Sequence, residues 1–342
     1  MNYEKFVKEV KRGVEDIVEK ELGEGVVVVR NVLKNNNVRR KAISIVRKEE
    51  VATPTIYLRN YFVDFKHGRD MTNICTEIFN MYLYSMDNFN ADIDLRDIAD
   101  FEKVKTMIHY KLINYEMNKE LLKKVPHLKF LDLAIVFNIV IEEDMYNSAT
   151  ALIKKEHLDM WNVSKREIED VALSNTPKLM PPVIIRMEDM LAEMIINDIS
   201  MNWDNEEDES ADTGQENYIK EDCVYGENSK EKMSEYVREE IEKMKCDDKI
   251  DMYVLTNEKR INGAGTIFYD GLLKKFADKI EKDLIIIPSS IHEVILIPSD
   301  NGITDEEVNE MIDEVNENEL ETVEILSNHM YLYRRKEDRI YM

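Results

Sequence analysis

Apolar positions at the start of the chain fall three and four apart. Tyr3, Phe6, Val7, Val10, Val14, Ile17, Val18 and Leu22 form one stripe, which predicts an opening helix that needs a partner surface. Beyond Gly23 and Gly25 the rhythm changes. VVVVRNVL is β-rich, Asn35, Asn36 and Asn37 tolerate the left-handed turn region, and VRRKAISIV resumes an extended pattern, so a β-hairpin is predicted. TPTIYL (53–58) predicts a third strand, with Pro54 at its start or on an edge. Two short helices are expected between Asn60 and Tyr84, broken near Gly68. Tyr57, Tyr61, Phe62 and Phe65 have the spacing of core aromatics rather than of a stacking platform.

A second unit begins near Phe101. Its pattern reads as strand MIHYKLI, helix NKELLKKV, strand FLDLAIVFNIVI, strand SATALIKK and a helix whose start is marked by the S-x-x-E box of Ser164 and Glu167. Pro177, Pro181 and Pro182 should break the pattern, and an amphipathic stretch from Met187 to Ile195 closes the unit. Residues 201–250 differ in kind: acids dominate and the first half has little to bury, so a flexible acidic linker is expected, with a solvated helix over KEKMSEYVREEIEKMK. The last unit reads as strand MYVL, a helix carrying Tyr269, Leu272, Leu273, Phe276, Ala277 and Ile280, strands LIIIP and EVILIP, a helix opened by the Thr304–Glu307 box, and strand HMYLYRR.

The expected fold class is α+β, with antiparallel sheets covered by helices. Four regions follow: an N-terminal helix, hairpin layer and helices (1–98), a middle α+β unit (99–200), the acidic linker (201–250) and a C-terminal α+β unit (251–342). The last has the order β-α-β-β-α-β of a split βαβ unit, expected to carry two helices on one face of its sheet. The middle unit has nearly the same order, which would make the two an internal repeat.

Composition narrows the function. With 34% charged and 44% hydrophobic residues the chain can build cores beneath an ionised surface. Lys plus Arg total 46 against 70 for Asp plus Glu, a net charge of −24 that opposes binding to phosphate backbones, so no direct nucleic-acid partner is expected. MNYEKFVKEVKRGV lacks the pattern of an export signal, and FLDLAIVFNIVI is too short to span a bilayer, so no membrane association is expected. Cys75, Cys223 and Cys246 signal neither a disulfide framework nor a zinc knuckle, which fits a reducing cytoplasm.

No P-loop pattern is present, and Asn262–Gly265 (NGAG) lacks the third glycine of a dinucleotide fingerprint. His292 precedes Glu293, but no second histidine follows one helical turn later. His109, His127, His157 and His329 are scattered singly. Neither a cofactor nor a metal is therefore expected. The densest polar constellation is PSSIHE (288–293). Ser289 or Ser290 would be the nucleophile, His292 the base and Glu293 or a distant carboxylate the orienting group of an acyl-transfer site; alternatively, the serines simply turn the chain between two strands and His292 is an exposed tip residue.

The segment DMYVLTNEKRINGAGTIFYDGLLKKFADKIEKDLIIIPSSIHEVILIPSDNGI closely resembles an uncharacterised domain-of-unknown-function family of clostridia and related Firmicutes. TPTIYLRNYFVDFKHGRD, FEKVKTMIHYKLINYEMNKELLKKVPHLKFLDLAIVF, SATALIKKEHLDMWNVSKREIEDVALSNTPKL and LSNHMYLYRRK resemble it too. The resemblance implies a bacterial cytosolic protein and carries no catalytic residues. The leading expectation is a non-catalytic interaction or regulatory protein with a protein partner. The alternatives are a hydrolase or transferase using Ser289, Ser290, His292 and Glu293, and an acidic nucleic-acid mimic.

Overall fold

The computed structural model describes residues 1–48, 50, 53–87, 95–143, 148–203, 251–300 and 302–342. The expected linker and its helix lie outside the described residues from position 204 onward, as do Cys223 and Cys246. The architecture is α+β and divides into two compact units, Met1–Leu179 with Leu320–Ile325, and Met180–Glu319 with Leu326–Met342.

In the first unit, α1 (Tyr3–Glu21) starts at Asn2, whose side-chain oxygen accepts the Lys5 N–H. Its apolar stripe buries Phe6, Val7, Val10, Val14 and Val18. Strands β1 (Val26–Leu33) and β2 (Arg39–Val46) form the expected antiparallel hairpin, with Leu33 opposite Arg39. The third strand is much shorter than TPTIYL predicts. Only β3 (Ile56–Tyr57) pairs, because Leu58, Tyr61, Phe62 and Phe65 already follow a helical period, and α2 (Leu58–Lys66) starts at once. After Gly68, at φ +100°, α3 (Met71–Asp87) completes a core in which Phe6, Val10 and Val14 meet Ile43, Ile45, Ile74 and Ile78. The aromatics are packing residues here: Phe62 and Phe65 lie against Phe6, with ring centroids 5.2 and 5.4 Å away.

The hairpin turn is a structural anchor. Asn36 is buried and left-handed at φ 57°, where asparagine is better tolerated than most residues. Its Nδ2 donates to the carbonyls of Thr322 and Ile325, each at 2.7 Å, while its backbone N–H and Oδ1 exchange bonds with the Asn118 amide at 2.9 and 2.7 Å. Segment 320–325 is held in the first unit by these bonds.

The remainder of this unit runs α4 (Phe101–Val104), β4 (Ile108–Asn114), α5 (Lys119–Leu122), β5 (His127–Phe130), β6 (Leu133–Glu143), β7 (Ser148–Leu152), α6 (Lys155–Trp161) and α7 (Lys165–Leu179). The single strand expected at 130–141 is in fact the end of one strand and most of another. The chain reverses at Leu131, φ 52°, so β5 and β6 pair antiparallel. Ser164 and Glu167 cap α7 reciprocally, as their spacing predicts. Pro177 does not end α7; one residue before it, Thr176 donates to the Ala172 carbonyl and accepts the Tyr110 N–H from β4.

The second unit begins earlier than expected. Pro182–Arg186 is a strand, β8, that pairs with β9 (Tyr253–Asn257) rather than closing a middle unit, and α8 (Met187–Trp203) follows it. With β10 (Leu284–Ile287), β11 (Val294–Pro298), β12 (Tyr331–Arg334) and β13 (Arg339–Tyr341), the sheet order is β13-β12-β10-β11-β9-β8. Strand β11 separates β9 from β10, and β10 separates β11 from β12, which is the split βαβ arrangement.

One expectation fails: the two helices cover opposite faces. Phe276 of the Leu272–Ile280 helix meets Tyr253, on the face of Leu296 and Ile286, whereas Val308 and Ile312 of the Asp305–Asn318 helix pack with Ile285 and Ile297 on the other. The strand order explains this. Both crossovers step the same way across the sheet while strand direction reverses between them, so right-handed connections emerge on opposite sides. Among the described residues the first unit has no such sheet. Its β6 pairs with β4, β5 and β7, so the similar element order of the two units does not amount to a repeat.

Candidate functional site

The PSSIHE segment forms the corner between β10 and β11. Ser290 is buried and its hydroxyl is fully engaged: it donates to Glu293 Oε1 at 2.7 Å and accepts the His292 N–H at 2.9 Å. The structure thus brings Ser290 and Glu293 together. The His292 ring faces elsewhere, its Nδ1 accepting the Asn262 N–H at 3.3 Å, which leaves the proton of the neutral ring on Nε2. Ser289 donates its backbone N–H to Ile287.

NGAG is the other half of the same corner. It opens a short 3-10 turn, Gly263–Phe268, and Ala264 N–H donates to the Ile291 carbonyl at 3.3 Å. Thr256 Oγ1 donates to the His292 carbonyl at 2.8 Å. A Cβ on Gly263 would lie 2.2 Å from Thr256 Oγ1 and 2.4 Å from His292 O, so glycine is required there for space.

The remaining histidines stay apart. His127 Nδ1 lies 3.1 Å from the Val125 carbonyl, His157 Nδ1 accepts the Lys154 N–H, His329 sits beside Ser327, and His109 is buried in β4. Among the described residues no group of three or more His, Cys, Asp or Glu side chains is placed to hold a metal ion. Cys75 is buried against α1, and burial pushes its thiol up to about 11, which suits packing and disfavours nucleophilic use.

The concave site on the first unit is one the sequence did not announce. A groove of about 340 Å³ is lined by Tyr3, Asn31, Val38, Arg39, Arg40, Lys41 and Arg59. Strand alternation places Arg39 and Lys41 on the side of Ile43 and Ile45, continuing that face past its apolar end. The first residue of α1, Tyr3, and the second of α2, Arg59, come to the same place because both helices pack on this face of the hairpin. Burial raises the Tyr3 phenol above the usual tyrosine range, while the nearby Arg59, Lys41 and Arg40 pull it down and Glu4 raises it further. Arg40 pairs with Glu321 at 2.9 Å and Lys41 with Glu4 at 2.7 Å. Among the described residues no carboxylate pairs with Arg39 or Arg59. The start of α1 adds the positive end of a 19-residue helix. A sequence signal existed in the run Arg39-Arg40-Lys41 within so acidic a chain, but Arg59 and Tyr3 join it only through the fold.

Fold and groove define an α+β protein of two units, the first bearing a cationic concavity. Among the described residues no helix is long and apolar enough to cross a membrane. A family model described as a family of unknown function, DUF5688, matches residues 3–335, and the chain belongs to that family. Comparison with curated proteins and with solved structures found no match.

Proposed function

We propose that the chain is a binding protein of the bacterial cytoplasm that holds an anionic group of its partner in the groove of the first unit. The observation that carries this reading is the meeting of four cationic residues at one concavity, two of them without a pairing carboxylate among the described residues, in a chain of net charge −24. Guanidinium forks match carboxylate and phosphate oxygens in pairs, so Arg39 and Arg59 are suited to seize an anion. The buried thiol of Cys75 accords with a reducing compartment.

Calorimetric titration of the full chain with pyrophosphate should give saturable one-to-one binding that the Arg39→Ala/Arg59→Ala variant loses. Absence of saturable heat in the parent protein would refute the reading.

On this reading the 288–293 corner is structural. Ser290 is buried away from any substrate, and His292 Nδ1, instead of facing the serine, accepts a backbone amide. A fluorophosphonate probe is expected to leave Ser289 and Ser290 unmodified by mass spectrometry. Stoichiometric labelling of either would restore the hydrolase alternative.

A further inference from the structure

We infer that the groove takes a phosphomonoester, a doubly charged phosphate carried on a small organic body; this rests on the groove being the binding site proposed above. Charge is the first argument. Four cations line the groove and two are answered by Glu321 and Glu4, which leaves two positive charges, those of Arg39 and Arg59. A terminal phosphate is nearly a dianion at neutral pH, with a second ionisation near 6, and its three free oxygens can serve two guanidinium forks at once. A sulfate ester or a single carboxylate brings one charge and leaves one guanidinium unanswered.

Size is the second argument. At about 340 Å³ the groove has more room than a phosphate head needs. Tyr3 and Val38 supply apolar surface for an attached organic body, and Asn31 supplies a polar contact. The long acidic chain as a whole disfavours a nucleic-acid backbone, whose phosphates are diesters of one charge each.

The pH dependence follows from the groups facing the groove. Arg39, Arg40, Lys41 and Arg59 are the cationic residues that face the groove. Tyr3 stays neutral, since its phenol is raised. Glu4 and Glu321 are the carboxylates beside the groove, paired with Lys41 and Arg40. Binding that weakens between pH 7.5 and pH 5 is the behaviour of a ligand whose second ionisation lies near 6.

The test compares phenyl phosphate, phenyl sulfate and phthalate on the full chain by calorimetry. At pH 7.5 phenyl phosphate should bind at least tenfold more tightly than either of the others. That advantage over phenyl sulfate should shrink several-fold at pH 5. Arg39→Ala and Arg59→Ala should each weaken phenyl phosphate about tenfold or more, and Arg39→Lys and Arg59→Lys, which keep the charge and test for intact folding, should retain an intermediate affinity. A phosphoserine peptide alongside free phenyl phosphate distinguishes a modified protein from a small metabolite as the source. Equal binding of phenyl sulfate, tighter binding of phthalate, or an affinity that does not fall toward pH 5 would overturn the inference while saturable pyrophosphate binding leaves the broader reading standing. Loss of pyrophosphate binding as well would overturn both.

Discussion

Gly263→Ala is expected to destabilise the second unit by about 3 kcal/mol, the upper end of what overpacking costs. The added methyl would sit 2.2 Å from Thr256 Oγ1, 2.4 Å from the His292 carbonyl and 2.9 Å from the Asn257 nitrogen. Two of those neighbours are backbone, one at the end of β9 and the other in the 288–293 corner, so relief requires the strand end and the corner to separate. The bonds from Thr256 Oγ1 to His292 O and from Ala264 N to Ile291 O would stretch in the process. In a unit of this size the loss should appear as a fall in melting temperature of about 6–12 °C. Gly271→Ala is the control, because Gly271 has a positive φ of 64° but open space around its Cβ position, and it should cost only about 1 kcal/mol of backbone strain. Near-ultraviolet circular dichroism melts of both variants decide the matter. A Gly263 variant as stable as the Gly271 variant would show that the corner is looser than its distances indicate.

Asn36→Ala should cost the first unit about 3–5 kcal/mol in urea denaturation. The substitution removes two bonds to the Thr322 and Ile325 carbonyls and one from the Asn118 amide, each worth about 1 kcal/mol net when buried, and leaves alanine at φ 57°. Asn36→Gly should recover only the backbone part, about 1 kcal/mol. Asn36→Asp should be as damaging as alanine at neutral pH, because a carboxylate would face two carbonyl oxygens in place of an amide. If alanine and the parent protein unfold at the same urea concentration, the turn does not anchor segment 320–325.

Much of the fold was legible where one face of an element is buried and the other wet. The stripe of α1 and the hairpin of β1 and β2 are of this kind, and the Ser164 and Thr304 boxes mark helix starts whose reciprocal bonds are present. Legibility failed where burial is nearly continuous. FLDLAIVFNIVI gave no sign that Leu131 turns the chain, since apolar residues flank the turn on both sides. Strand β8 hid behind a proline run. Proline usually stops a strand, but β8 lies at the sheet edge, where a missing N–H costs little. The placement of the two C-terminal helices depends on strand order, which no local pattern encodes.

The candidate sites divide in the same way. Ser290, His292 and Glu293 are close in sequence and were easy to find, yet the corner gives their polar atoms to one another, to the Asn262 amide and to Thr256. The groove combines β1, β2 and the starts of α1 and α2, so its residues span positions 3 to 59 and become a site only when the first unit folds. Net charge concealed it further, because an overall value of −24 averages over a local excess of cations.

The most direct measurement of the central claim is a crystal structure of the full chain with pyrophosphate bound. The account predicts phosphate oxygens within hydrogen-bonding distance of the guanidinium groups of both Arg39 and Arg59, beside Tyr3. Pyrophosphate found instead against Ser290 and His292, with the Arg39–Arg59 groove empty at saturating ligand, would contradict it.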